Sequence, residues 1–148
     1  MPDQELIDGL IATYRTLNMS VRPLPEEKLR VASANGGSVR DALRRLRDDE
    51  LKFSQALKVR VTTGQPMPEV SEEEKAVIGT ESEDDTTAAL LAQFGTARES
   101  SLAMLRGLPD AEWDSTEAGP RTIRDIIRDL VANDQRRLQG ITALLGGR

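Results

Sequence analysis

Two parts of this sequence, 84 positions apart, repeat the same pattern of proline, capping and apolar residues. The segment LPEEKL around Pro25 is similar to LPDAEW around Pro109, and SVRDALRRL from Ser38 is similar to TIRDIIRDL from Thr122. Both pairs are related by one shift, so the loops between them are equal in length. Two unrelated capped helices would not show this equality. We therefore expect the chain to contain two copies of one α-hairpin.

Four stretches carry apolar residues at spacings of three and four, which is the pattern of amphipathic helices. They predict helices over residues 3–21, 38–62, 85–106 and 122–145. A single hairpin cannot bury its apolar side, so the two copies must pack face to face. The sequence predicts an all-α protein with one domain, residues 1–148, folded as a four-helix bundle. The acidic stretch TTGQPMPEVSEEEKAVIGTESEDDTT, rich in proline and glycine, predicts a long crossover between the two hairpins.

The residue types that are missing restrict the chemistry of the chain. It contains no cysteine and no histidine. Disulfides, thiolate metal sites and cysteine nucleophiles are therefore excluded, and the commonest general base and metal ligand are missing. We expect no catalytic residues and no cofactor.

Charge and hydropathy indicate the class of partner. The formal net charge is −5, whereas nucleic-acid binders usually carry a basic surface. The opening residues MPDQELIDGL lack the basic and apolar regions of a signal peptide, and no apolar run reaches membrane-spanning length. We expect a cytoplasmic protein that binds neither nucleic acid nor membranes.

Charged residues interrupt the apolar stripes of the second and fourth predicted helices. The stripe of the last helix should continue through positions 134 and 137, which hold Asp134 and Arg137. The 84-residue shift places Glu50 on Asp134, so both stripes are interrupted at the same level. The predicted polar layer contains Asp49, Glu50, Asn133, Asp134 and Arg137, with Arg45 one turn nearer the start of its helix.

Three interpretations of this layer remain open. It could be a buried ion-pair network, with Arg137 bridging Glu50 and Asp134, because charges in a core must be paired. It could instead be a site for a hard cation, whose ligands would be carboxylate and amide oxygens. The third interpretation is a pocket for an anionic small molecule, in which Arg45 and Arg137 are the anchors.

The segments SVRDALRRL, LPDAEW and GPRTIRDIIRDLVANDQRRLQGI resemble the DinB-like (DinB/YfiT-type) superfamily, and the resemblance covers nearly the whole chain. It implies a four-helix bundle, often a homodimer, in which three histidines hold a divalent metal. The three histidine positions fall on Arg45, Asn133 and Arg137 of this chain. None of them is a histidine, so we expect that the metal site is lost.

The resemblance and the missing residue types together suggest a metal-free DinB-like protein that is not an enzyme. It would act by dimerisation or by binding a small, anionic ligand through Arg45, Asp49, Glu50, Asn133, Asp134 and Arg137. The alternative is a transferase or isomerase that uses a low-molecular-weight thiol, as some members of the superfamily do. Such an enzyme would need a degenerate metal site built from oxygen ligands.

Overall fold

The computed structural model describes residues 4–32, 37–68 and 86–146, and this part of the chain is all-helical. The helices are α1 (Gln4–Ser20), α2 (Glu26–Leu29), α3 (Val39–Thr63), α4 (Thr87–Gly107), α5 (Asp110–Trp113) and α6 (Ile123–Gly146). A short 3₁₀ turn at Thr116–Ala118 precedes α6. The four long helices agree with the predicted bounds to within two residues. Most of the predicted crossover, residues 69–85, lies outside the described residues.

Side-chain caps explain where the long helices begin. The Ser38 hydroxyl accepts a hydrogen bond from the Asp41 amide, and the Asp41 carboxylate accepts one from the Ser38 amide. Such a capping box satisfies two amides that the first turn leaves without partners. The hydroxyl of Thr122 caps α6 in the same way, accepting from the Asp125 amide at 3.1 Å. The two caps occupy corresponding positions in the two repeats.

The core consists of two apolar clusters, one at each end of the long helices. The first cluster includes Ile7, Leu10, Phe53, Leu57, Leu102, Trp113 and Ile127. The second cluster includes Leu17, Val21, Leu43, Leu46, Leu91, Phe94 and Ile141. Helix α1 runs from the first cluster to the second, α3 and α4 run in the opposite direction, and α6 again runs from the first to the second. Helices α3 and α4 are therefore parallel to each other.

The helices pack across the two repeats. The main partners are α3 with α4 and α1 with α6, and α1 also packs on α4 and α3 on α6. The 84-residue shift exchanges α1 with α4 and α3 with α6, so the observed pairs agree with the repeat. The expectation of a packed hairpin needs a correction, because the two long helices of one repeat are not main packing partners of each other.

Within the described residues, no helix combines the length and the apolar character that crossing a bilayer requires.

Candidate functional site

A buried polar layer separates the two apolar clusters, and each long helix contributes one residue to it. These residues are Thr13 of α1, Glu50 of α3, Arg98 of α4 and Asp134 of α6. The side chains of Glu50, Arg98 and Asp134 are each 1% exposed. The layer is therefore closed to solvent.

Arg98 connects the layer through its two terminal nitrogens. Its Nη2 donates to Glu50 Oε1 at 2.9 Å, and its Nη1 lies 3.0 Å from Asp134 Oδ2. The same Nη1 donates to the carbonyl oxygen of Leu10 at 2.8 Å. Thr13 Oγ1 donates to Asp134 Oδ2 at 2.8 Å, so α1 is joined to the network by both its backbone and a side chain.

The electrostatics of the layer favour a charged Arg98. Burial alone would lower the pKa of Arg98, but attraction to Glu50 and Asp134, together with hydrogen bonds to both, outweighs it and raises the pKa. The guanidinium also lies 4.9 Å from the centre of the Phe94 ring on the same helix, at cation–π distance. One cation therefore serves two carboxylates, and the removal of that cation would leave two buried charges without a partner.

The structure corrects the predicted ion-pair network at its centre. Arg98, and not Arg137, bridges Glu50 and Asp134. Arg137 instead donates to Asp49 Oδ2 at 2.9 Å, and both of these side chains are about one-quarter exposed. Four of the six predicted residues thus form a buried pair, Glu50 and Asp134, and a half-buried pair nearer the surface, Asp49 and Arg137.

The two remaining predicted residues lie elsewhere. Arg45, predicted one turn nearer the start of its helix, is exposed on α3. Asn133 is half-buried and accepts a long hydrogen bond from Arg136 at 3.4 Å.

Arg98 was missed although the sequence contains a signal for it. Leu91, Phe94, Leu102 and Leu105 form the apolar stripe of α4, and position 98 continues that stripe at a spacing of four from both sides. The rule that identified Glu50 would therefore have identified Arg98. The repeat did not indicate a buried charge at this position. The 84-residue shift aligns Arg98 with Tyr14, a residue that suits an amphipathic stripe.

An open cleft lies beside the layer, between α3 and α6. Its volume is about 430 Å³, and its walls include Asp49 and Asn133 from the predicted set. Apolar side chains line most of it, including Phe53, Ala56, Met67, Ile126 and Leu130. Lys52, Arg121 and Asp129 add charged groups to the lining.

Two loop segments close one side of this cleft. The Met67 amide donates to the Ala118 carbonyl at 2.7 Å, which joins the segment after α3 to the turn before α6. Arg60 holds the same segments, because its Nη1 donates to the carbonyl oxygens of Gly64 and Glu117. Gly119, in this wall, has a φ of 149°, a conformation that favours glycine.

Arg45, Asn133 and Arg137, the three positions where the resemblance predicts metal ligands, do not fit a divalent metal. Arg45 is exposed and Arg137 is paired with Asp49, and neither guanidinium can donate an electron pair to a cation. Asn133 alone offers a neutral oxygen. In residues 4–32, 37–68 and 86–146, no three carboxylate, histidine or cysteine side chains come together in a way that could hold a metal ion.

Comparisons with known proteins identify no relative of this chain. No family model matches the chain, and no curated protein and no solved structure matches it significantly.

Proposed function

We propose that this chain is a metal-free DinB-like four-helix bundle that binds a small molecule in the cleft between α3 and α6 and does not catalyse a reaction. The cleft of about 430 Å³ is the observation that carries this proposal. Its size lies in the range of small-molecule sites, about 300–1,000 Å³. It combines an apolar lining with a few polar groups, which is the usual composition of such sites.

The buried layer is less suited to a ligand than the cleft. Glu50, Arg98 and Asp134 already bind one another and are each 1% exposed. A ligand could reach them only if the helices separated. We therefore assign the layer a structural role and the cleft the binding role, with Asp49, Asn133 and Arg137 as the predicted residues at or next to the cleft.

The proposed bundle is supported by the repeat. Where a residue of one half is buried, the residue at the corresponding position of the other half is often buried too. Examples are Leu43 and Ile127, and Glu50 and Asp134. The alternative of a thiol-dependent transferase needs a metal, and the residues at Arg45, Asn133 and Arg137 do not fit one. We therefore prefer the binding protein.

An uncharged probe tests the cleft. Titration of the protein with 1-octanol, followed by ¹H–¹⁵N correlation spectra, should shift amides around Phe53, Ile126 and Leu130 in a saturable way. Ala56→Leu fills the cleft from α3 and should weaken this binding severalfold. Ala132→Leu adds the same volume at an exposed position of α6 and should not change it.

Two results would overturn the proposal. One is the absence of saturable shifts, and the other is a set of shifts that avoids the cleft. Thermal unfolding of both leucine variants shows whether each retains its fold, so that loss of binding is not confused with loss of structure.

A further inference from the structure

Some charged groups around the cleft have an ion-pair partner and one does not. This difference indicates the class of ligand that the cleft binds. Asp49 Oδ2 lies 2.9 Å from Arg137 Nη2, so its charge is balanced within the protein. Asp129 Oδ2 lies 2.6 Å from Arg121 Nη2 and is balanced in the same way. Both carboxylates of the cleft lining are therefore paired.

Lys52 is the charged residue of the cleft lining that is left without an ion-pair partner among the described residues. It is half-buried in that lining. Its aliphatic stem can lie along the apolar wall beside Phe53 while its ammonium stays in water at the mouth. Arg121 in the lining pairs with Asp129, and Arg137 outside the lining pairs with Asp49, so the positive charge of Lys52 is left uncompensated.

We propose that the ligand of the cleft is an amphipathic anion, such as a monocarboxylate with an apolar body, and that Lys52 binds its anionic group. This inference rests on the proposed function and names its ligand class. The apolar body would pack against Phe53, Ile126 and Leu130, which line the cleft. The Asn133 amide, in the same wall, can donate a hydrogen bond to a carboxylate. A cationic amphiphile would meet Lys52 with like charge and bind less tightly.

Three probes with an eight-carbon chain and different head-group charges test whether the cleft prefers an anion. Octanoate, 1-octanol and octyltrimethylammonium are titrated in parallel, and the dissociation constants are taken from amide shifts in the cleft. Octanoate should bind up to about fivefold more tightly than 1-octanol, as expected for a partly exposed ion pair. The ammonium compound should bind more weakly than 1-octanol.

Two lysine variants test the residue. Lys52→Ala should lower the affinity for octanoate to that for 1-octanol, whereas the affinity for 1-octanol should change little. Lys58→Ala is the matched control, because Lys58 is exposed on the same helix and does not line the cleft. It should leave both dissociation constants unchanged.

The outcomes separate this inference from the proposed function. If 1-octanol binds the cleft but octanoate binds no better, the inference is overturned and the binding cleft stands. If Lys52→Ala weakened the binding of octanoate and of 1-octanol equally, the inference would also be overturned. The affinity would then depend on the aliphatic stem of Lys52 and not on its charge. If none of the probes binds, both proposals fail.

Discussion

Glu50 and Asp134 occupy equivalent positions in the two repeats, and they bind the two terminal nitrogens of one guanidinium, that of Arg98. The repeat thus supplies a matched pair of carboxylates, while the cation comes from only one half of the chain. Four helices meet at this point, so the layer is where a single substitution should affect the whole core.

Arg98→Met should lower the free energy of unfolding by about 3–5 kcal/mol, because it leaves two buried carboxylates without their cation. Methionine retains much of the length of the side chain, so lost packing contributes little. Urea unfolding followed by circular dichroism measures the change. The control is Arg106→Met, an exposed position on the same helix, which should change stability by less than about 0.5 kcal/mol. A similar, small effect in both variants would show that the layer does not behave as a buried network.

Replacement of the whole charged set should recover the stability that Arg98→Met loses. In the variant Glu50→Met/Arg98→Met/Asp134→Leu no charged side chain remains in the layer, and buried ion pairs replaced by apolar residues are often neutral or stabilising by about 1–4 kcal/mol. Among described residues, Glu50 Oε2 and Asp134 Oδ1 also lack hydrogen-bond partners, which favours the apolar variant further. We expect urea unfolding to rank it above Arg98→Met by several kcal/mol. The reverse order would contradict this explanation.

Glu26 should make a pH-dependent contribution to stability. Its carboxylate accepts hydrogen bonds from the Thr87 amide at 2.8 and 3.1 Å, at the start of α4. Partial burial would raise the pKa of Glu26, but the hydrogen bonds with Thr87, followed by the ion pair with Arg30, lower it below the ordinary value of 4.5. A depressed folded-state pKa means that the stabilisation is present above pH 4.5 and is lost as the pH falls through the folded-state pKa.

The variant Glu26→Gln tests this sign. At pH 7 it should be less stable than the wild-type protein by about 0.3–1 kcal/mol, the usual contribution of an anion at a helix N-terminus. The difference should shrink as unfolding is measured at successively lower pH. Glu27→Gln removes the same charge from the exposed neighbouring position and should not reproduce this trend. A difference that is independent of pH would argue against the charged interaction.

Gly95 should be coupled to Tyr14. A Cβ atom added at Gly95 would overlap the Tyr14 ring, although the residue lies inside α4, where alanine is intrinsically favoured. Gly95→Ala should therefore destabilise the wild-type protein, by about 1–3 kcal/mol if the ring cannot move away. In a Tyr14→Ala background the same substitution should stabilise by up to about 1 kcal/mol.

A second glycine provides the control for this cycle. A Cβ at Gly140, in α6, would meet no atom within 4 Å outside its own helix. Gly140→Ala should be stabilising both with and without Tyr14. If Gly95→Ala behaves in the same way in both backgrounds, the proposed coupling is absent.

The helices could be predicted because their signals are local. Spacing and caps depend on residues a few positions apart, and Ser38 and Thr122, with which the two similar segments begin, cap α3 and α6. The buried carboxylates were also predictable, since Glu50 and Asp134 each interrupt an apolar stripe. The prediction that the two halves are equivalent was useful because it placed these two residues at one level.

The partners of these carboxylates depend on which helices are neighbours. Arg137 was assigned to the layer because it interrupts the same apolar stripe as Asp134, but its side chain pairs with Asp49 nearer the surface. Arg98 comes from α4, and its contacts with Leu10 of α1 and Glu50 of α3 join residues far apart in the sequence, so no local pattern indicates them. The cleft was missed because Met67 and Ala118 belong to irregular segments whose contact has no pattern in the sequence.

The packing of every long helix on the other repeat also determines how the chain can fold during synthesis. While the first half emerges from the ribosome, α1 and α3 have not yet met the surfaces that cover them, because those belong to α4 and α6. We expect their apolar faces to stay exposed until Thr87–Gly107 and Ile123–Gly146 have been translated. We expect the nascent chain to need protection from aggregation over this interval, and the domain to form in one late, cooperative step.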